Sequence, residues 1–141
     1  MNKKRYILMS IKPKYAEQII CGRKKIELRK RIPTISTGDM IVFYESTPVK
    51  RITLYCEVSD IIKMSPAKLW NEYNNLLAIE REHYETYFSN KSTAYGIELK
   101  NIVRTEHIKL CQLSENLRPP QSYRYLSEEE FRIVERHAYN V

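Results

Sequence analysis

The chain has 141 residues, of which 43% are hydrophobic and 29% are charged. This size and composition predict one compact domain with a substantial core. No apolar run approaches the roughly 20 residues of a membrane-spanning helix. The apolar stretch after the basic residues 1–5 is soon interrupted by Lys12 and Pro13, unlike a secretory signal. These features exclude a membrane-spanning class and predict a cytoplasmic protein.

Three scattered cysteines, Cys21, Cys56 and Cys111, form no Cys-x-x-Cys pair. We therefore expect buried thiols in a reducing compartment, and neither a metal nor another cofactor.

The charge is strongly basic and unevenly distributed. Lys and Arg outnumber Asp and Glu by 24 to 17, which gives a net charge of +7, and residues 3–51 hold thirteen of the cations against four acidic residues. Such an excess favours a polyanionic partner if it folds onto one face, although a merely solvated surface is the alternative. The side chains expected to contact phosphates are Lys12, Lys14, Arg23, Lys25, Arg31, Lys50 and Arg51.

The first half of the chain predicts three strands and one helix. Residues 6–11 are apolar and β-prone, and Pro13 then begins a helix whose apolar residues repeat at helical spacing up to Gly22. Alternation predicts a strand over 24–31. The turn at 37–39 precedes another strand over 40–45, which is rich in β-branched and aromatic residues.

The second half predicts more strands with helices between them. A long strand with a bend is expected over 52–64, then a helix over 67–73 with Ser65 as its N-cap and a second helix over 80–88. Residues 93–103 and 121–126 predict two further strands, and 110–117 is ambiguous. Ser127 and Glu130 form a capping box for a helix over 128–138.

The pattern predicts an α+β fold in a single domain spanning 1–141. Its strands are mostly antiparallel, with helices inserted between them and a C-terminal helix. A closed or nearly closed barrel is expected, because that form hides the edges of five or six strands.

The string Gly22-x-Lys24-x-x-Glu27-x-Arg29 is the strongest candidate site. Glu27 and Arg29 lie two apart on one strand face, so their carboxylate and guanidinium can pair with each other or bind a ligand. Lys24 can join them only if the strand begins after it. A structural ion pair at the end of the barrel is the alternative.

Aromatic residues admit two interpretations. The eleven tyrosines include possible stacking partners for bases, but burial in the core is the commoner explanation. Trp70 is expected to anchor the helical insert in the core, with ligand contact as the alternative.

The ordered series of motifs resembles the ASCH domain, a branch of the PUA-like superfamily. Besides the Gly22-x-Lys24-x-x-Glu27-x-Arg29 string, the motifs that carry this resemblance are Ser10-Ile11-Lys12-Pro13, Gly38-Asp39, Ala94-Tyr95-Gly96-Ile97-Glu98 and Pro119-Pro120-Gln121-Ser122-Tyr123. The resemblance covers residues 6–126 and implies a PUA-like β-barrel with a cleft suited to RNA or a modified nucleoside. The residues it implies for the cleft are Lys12, Lys24, Glu27, Arg29, Tyr44, Gln121 and Ser122.

The same family includes nucleic-acid binders, members reported as ribonucleases, and acetylcytidine amidohydrolases. In the amidohydrolases the lysine of the Gly-x-Lys string is catalytic, a threonine stands three residues later, and a glutamate of the helical insert completes the set. Here Lys24 matches, Glu27 stands in the threonine position, and Glu72 and Glu80 are only nearby candidates for the glutamate. The complete amidohydrolase constellation is therefore absent.

Two functions of different class remain open. The first, which we favour, is a module that binds RNA, single-stranded nucleic acid or a modified nucleoside, linked to RNA metabolism, translation or transcription regulation. The second is a small hydrolytic enzyme acting on a modified nucleoside or on RNA. In that case Lys24 and Glu27 are the candidate catalytic residues, an acid/base pair if burial shifts their pKa values.

Overall fold

In a computed structural model, residues 3–139 are described and form one six-stranded mixed sheet flanked by four α-helices. The strands are β1 (Tyr6–Ile11), β2 (Ile26–Arg29), β3 (Met40–Glu45), β4 (Arg51–Met64), β5 (Ala94–Ile108) and β6 (Tyr123–Leu126). The helices are α1 (Pro13–Ile20), α2 (Pro66–Tyr73), α3 (Arg81–Tyr87) and α4 (Glu128–Arg136). Single 3₁₀ turns lie at Asn74–Leu76 and Leu110–Gln112.

The predicted α+β arrangement of mostly antiparallel strands with inserted helices is confirmed, but the sheet is not closed into a barrel. Its strand order is β2-β5-β4-β3-β1-β6, in which β1 and β3 are parallel and the other pairs antiparallel. Closure would require a ladder between the terminal strands β2 and β6. Instead the chain leaving β2 approaches β6 as a loop, where the backbone N–H of Thr34 donates to the Tyr125 hydroxyl at 2.8 Å.

Three hydrophobic clusters hold the helices against the sheet. Helix α1 inserts Ala16 and Ile19 against one face of β1, β3, β4 and β5. Helix α4 covers the other face, where Phe131 stacks on Tyr6 with 4.6 Å between ring centroids. Helices α2 and α3 pack on the outer side of β2. Both faces of β2 are consequently buried, although one of them is charged.

The long strands are irregular, as the predicted bend requires. The β4–β5 ladder shifts register at three places and the β3–β4 ladder at one. Strand β5 extends five residues beyond its predicted end because Ile108 pairs with Ile52 at the start of β4.

The predicted helix caps are confirmed. The Ser65 hydroxyl accepts from the Lys68 N–H, and Ser127 and Glu130 form the reciprocal capping box of α4. The cysteine expectation holds only for Cys56, because Cys21 and Cys111 are exposed. Within residues 3–139, no helix is long and apolar enough to cross a membrane.

Candidate functional site

Lys24 reaches the candidate site because it precedes the strand. Gly22, with φ of +85°, lies in the turn after α1, and β2 begins only at Ile26. The Lys24 ammonium therefore escapes strand alternation, donates to the Leu77 carbonyl at 2.8 Å and lies 3.8 Å from Glu27 Oε1. Lys24 was expected to join Glu27 only if the strand begins after it, and β2 does begin after it.

Glu27 and Arg29 share the inner face of β2 and pair directly. Arg29 places Nε 3.0 Å and Nη2 2.7 Å from the same carboxylate oxygen, Oε2. The side chains of Lys24, Glu27 and Arg29 are only 2%, 7% and 11% exposed. The three charges thus form a buried ionic cluster.

The remaining donors of Arg29 bridge the opening of the sheet. Nη2 donates to the Ser10 carbonyl at 2.7 Å, and Nη1 lies 3.3 Å from the Ser122 carbonyl and 3.4 Å from its hydroxyl. Ser10 itself donates its N–H to the Ser122 carbonyl and its hydroxyl to the Pro120 carbonyl. One guanidinium therefore ties β2 to β1 and to the segment before β6.

Burial governs the electrostatics of the cluster. Desolvation lowers the pKa of Lys24, Glu27 opposes that shift, and Arg29 adds to it. The Tyr15 ring, whose centroid lies 5.1 Å from the Lys24 ammonium, has its pKa raised by burial and by the charges of Glu27 and Glu80. An amine with a lowered pKa beside a carboxylate is able to transfer protons.

The structure brings together four of the seven expected cleft residues. Lys24, Glu27, Arg29 and Ser122 belong to one network, as described above. Tyr44 is buried in the cluster of the opposite sheet face, although its strand neighbour is Ser10. The other two, Lys12 and Gln121, are exposed.

Several members of this environment were not expected. The Ser10 and Leu77 carbonyls and the Tyr15 ring contact the cluster, and Tyr87 lies close enough for Arg29 and Glu27 to influence its pKa, which burial raises. Tyr15 is one of the residues that repeat at helical spacing after Pro13, which is the sequence signal that could have found it. No sequence signal indicated the Leu77 carbonyl, which lies 53 residues from Lys24.

The two candidate glutamates of the helical insert differ in position. Glu80 lines a groove of about 510 Å³ beside α1, together with Arg23, Lys25 and Asn75. Glu72 instead lies 4.0 Å from the exposed ammonium of Lys68 on α2. Of the two, Glu80 is the carboxylate whose charge raises the pKa of Tyr15. No cluster of three or more potential metal-ligating His, Cys, Asp or Glu side chains occurs within the described residues.

A family model and a curated relative point to the same family. The ASCH domain model matches residues 9–103. A curated relative from Zymomonas mobilis, named ASCH domain-containing ribonuclease, is 30% identical over 126 residues, covering 87% of this chain and 85% of the relative.

Solved structures of an ASCH protein from Zymomonas mobilis have the same fold as this chain. The crystal structure of ASCH from Zymomonas mobilis has a TM-score of 0.90 at 27% identity, covering 97% of this chain and 98% of that one. A serine-to-alanine variant has a TM-score of 0.89 at 26% identity, covering 99% and 100% respectively.

Proposed function

This chain belongs to the ASCH domain family, and on that premise we propose that it binds single-stranded RNA at the opening of the sheet. The observation that carries the proposal is the polar rim around the Arg29 network. Lys12, Lys30 and Gln121 are exposed, and each lies one or two residues along the chain from a residue of that network. The buried cluster therefore sets the positions of the backbone segments that bear the exposed groups.

Charge supports a phosphate backbone as the ligand of this rim. The net charge is +7, and the cations Lys12, Lys14, Lys30 and Arg31 follow the ends of β1 and β2. Lys30 also places its ammonium over the Tyr87 ring at 4.7 Å, so a cation and an aromatic ring adjoin there. Proteins that bind single-stranded nucleic acid generally do so with cations for the phosphates and aromatic rings for the bases.

Ribonuclease activity is the second candidate. The Zymomonas mobilis relative is named a ribonuclease, and Lys24 with Glu27 supplies a potential acid/base pair. Glu27 Oε1 lies 3.8 Å from Lys24 and retains unused capacity to accept a hydrogen bond. Both groups are buried, so catalysis requires the substrate to reach below the rim.

The test compares binding with cleavage of one labelled single-stranded RNA. Binding is measured by fluorescence anisotropy at about 50 to 200 mM salt, and we expect the affinity to fall steeply over that range. Lys12→Gln and Lys30→Gln should each weaken binding and reduce the salt slope by about one. Lys109→Gln, an equal charge change on an exposed lysine after β5, is the matched control.

Gel analysis of the same mixtures separates the two candidates. Intact RNA in the wild-type sample supports the binding module. Cleavage that Lys24→Met abolishes, while the RNA remains bound, assigns the enzyme instead. Salt-independent binding, or equal losses in the rim variants and the control, would overturn the proposed site.

A further inference from the structure

We propose that the groove between α2 and α3 is a second nucleotide site, which stacks one base of the RNA and contacts its phosphate. The proposal rests on the RNA-binding function above and extends it to a surface outside the Arg29 network. The groove has a volume of about 480 Å³, within the range of small-molecule sites.

The floor of the groove is aromatic. Trp70 is half-buried and lies 4.9 Å from Tyr84, which in turn lies 4.9 Å from Phe88, measured between ring centroids. The Tyr84 hydroxyl donates to the Pro66 carbonyl at 2.7 Å, and burial raises its pKa to about 12. Its polar group is therefore satisfied within the protein. Tyr84 and Phe88 are buried, at 2% and 4% exposure, so the half-buried Trp70 is the floor ring that offers surface to a ligand.

The rim of the groove is polar and carries two cations. Arg81 is one of them and is paired with Glu85 at 3.1 Å. Asn90, with φ of +62°, forms a left-handed turn after α3, and Lys91, the second cation, follows it and lines the groove. Lys91 is exposed, as is the amide of Asn71 at the same rim.

These features favour a nucleotide over an apolar peptide. A base has a flat face for the Trp70 ring and polar edges for the Asn71 amide, and its phosphate suits Lys91 and Arg81. An apolar segment would find the same floor but would meet two cations and a carboxylate around it. The net charge of +7 attracts the polyanion in addition.

Helix α3 connects this groove to the RNA site proposed above. Phe88 at the groove packs edge-on against Tyr87 at 4.8 Å, and the other neighbour of Tyr87 is the Lys30 ammonium at the rim. The two sites therefore both adjoin the C-terminal end of α3, through Tyr87 and Phe88.

The chain contains a single tryptophan, so Trp70 fluorescence reports on this groove alone. Short single-stranded RNA and adenosine monophosphate are titrated separately, and RNA binding is followed in parallel by anisotropy. We expect both ligands to quench Trp70 saturably, since a base stacks on the indole. The quenching by RNA should follow the same binding curve as the anisotropy.

Two lysine variants provide the decisive comparison. Lys91→Gln should raise the Kd for adenosine monophosphate, measured by the quenching, at least about threefold, because the change removes a phosphate contact. The control is Lys68→Gln, because Lys68 is an exposed lysine of α2 that pairs with Glu72 and does not line the groove. This change should leave the Kd unchanged.

The outcomes separate this proposal from the one on which it rests. RNA binding without Trp70 quenching overturns the groove site and leaves the RNA function intact. If RNA does not bind, the RNA function fails, and the adenosine monophosphate titration still decides the groove: quenching that Lys91→Gln weakens supports it, and no quenching overturns it. Quenching by an apolar peptide but not by nucleotides would assign the groove to a protein partner and overturn the proposal.

Discussion

Arg29 contacts Glu27 through a single carboxylate oxygen, with Nε at 3.0 Å and Nη2 at 2.7 Å from Oε2. The other oxygen, Oε1, faces Lys24 at 3.8 Å, beyond hydrogen-bonding distance. Arg29 directs its remaining donors to backbone and hydroxyl oxygens of Ser10 and Ser122. Arg29 is therefore chiefly a brace of the fold, while Glu27 and Lys24 retain capacity for a ligand.

Arg29→Ala should destabilise the protein severely. The change leaves the buried Glu27 carboxylate without its main partner and removes the Arg29 contacts to Ser122, so we expect the free energy of unfolding to fall by about 3–5 kcal/mol. Urea denaturation measures this directly. Arg81→Ala, which removes an exposed pair with Glu85, is the control and should change stability little. If Arg29→Ala lowers the free energy of unfolding as little as the control does, Arg29 does not stabilise the fold in this way.

The lowered pKa of Lys24 predicts a pH dependence of stability. Below its pKa in the folded state, Lys24 is charged in both states; between that pKa and the usual 10.5, the unfolded chain binds more protons than the folded protein. The Lys24 contribution to stability therefore rises as the pH increases through this window. Desolvation, the largest cause of the lowered pKa, sets the sign.

The comparison is between the wild type and Lys24→Met, each unfolded by urea at several pH values between about 8 and 10. The wild type should gain stability relative to the variant as the pH rises. Tyr15, with its raised pKa, has the opposite dependence but is present in both proteins, so the difference isolates Lys24. A difference that falls with pH would show that Glu27 dominates the Lys24 environment.

Gly96→Ala should be destabilising by overpacking. A Cβ at position 96 would lie 2.8 Å from Ile26 Cγ2, so the Ile26 side chain or the two strands would have to shift. We expect a loss of about 1–3 kcal/mol in the free energy of unfolding. The loss should be smaller in an Ile26→Ala background, where the clashing methyl is absent. Equal losses in the two backgrounds would contradict this account.

The three thiols should differ in reactivity. Cys21 and Cys111 are exposed, whereas Cys56 is fully buried, and burial raises the pKa of its thiol. A thiol reagent should therefore modify two cysteines rapidly in the folded protein and the third only on unfolding. Mass spectrometry of the digested protein identifies each site. Rapid modification of Cys56 under native conditions would show that the sheet opens locally.

Local features of the fold could be predicted from the sequence. The helix caps at Ser65 and Ser127 and the apolar strand Tyr6–Ile11 depend on neighbouring residues alone, and each is present as expected. The pairing of Glu27 with Arg29 followed from strand alternation, because two residues on one face need no tertiary information.

The tertiary part of the site could not be predicted in this way. Arg29 reaches Ser122 across 93 residues, and this contact depends on how the sheet curves and on which strands form its ends. Tyr44 shows the same limit, because a bulge between Phe43 and Tyr44 and the packing of α4 decide its surroundings. The spacing of motifs along the chain gives no information on the curvature of the sheet, the order of its strands or the packing of its helices.

The position of β1 between β3 and β6 has a consequence for synthesis on the ribosome. Its first partner, β3, follows within about 40 residues, but Leu126, which pairs with Tyr6, is made only after nearly all of the intervening chain. A nascent chain lacking β6 therefore exposes one edge of β1 and has no Ser122 for Arg29 to hold. Until that segment leaves the exit tunnel, the growing chain exposes a strand edge with which other nascent chains can pair. A holdase chaperone would therefore need to protect this edge longest.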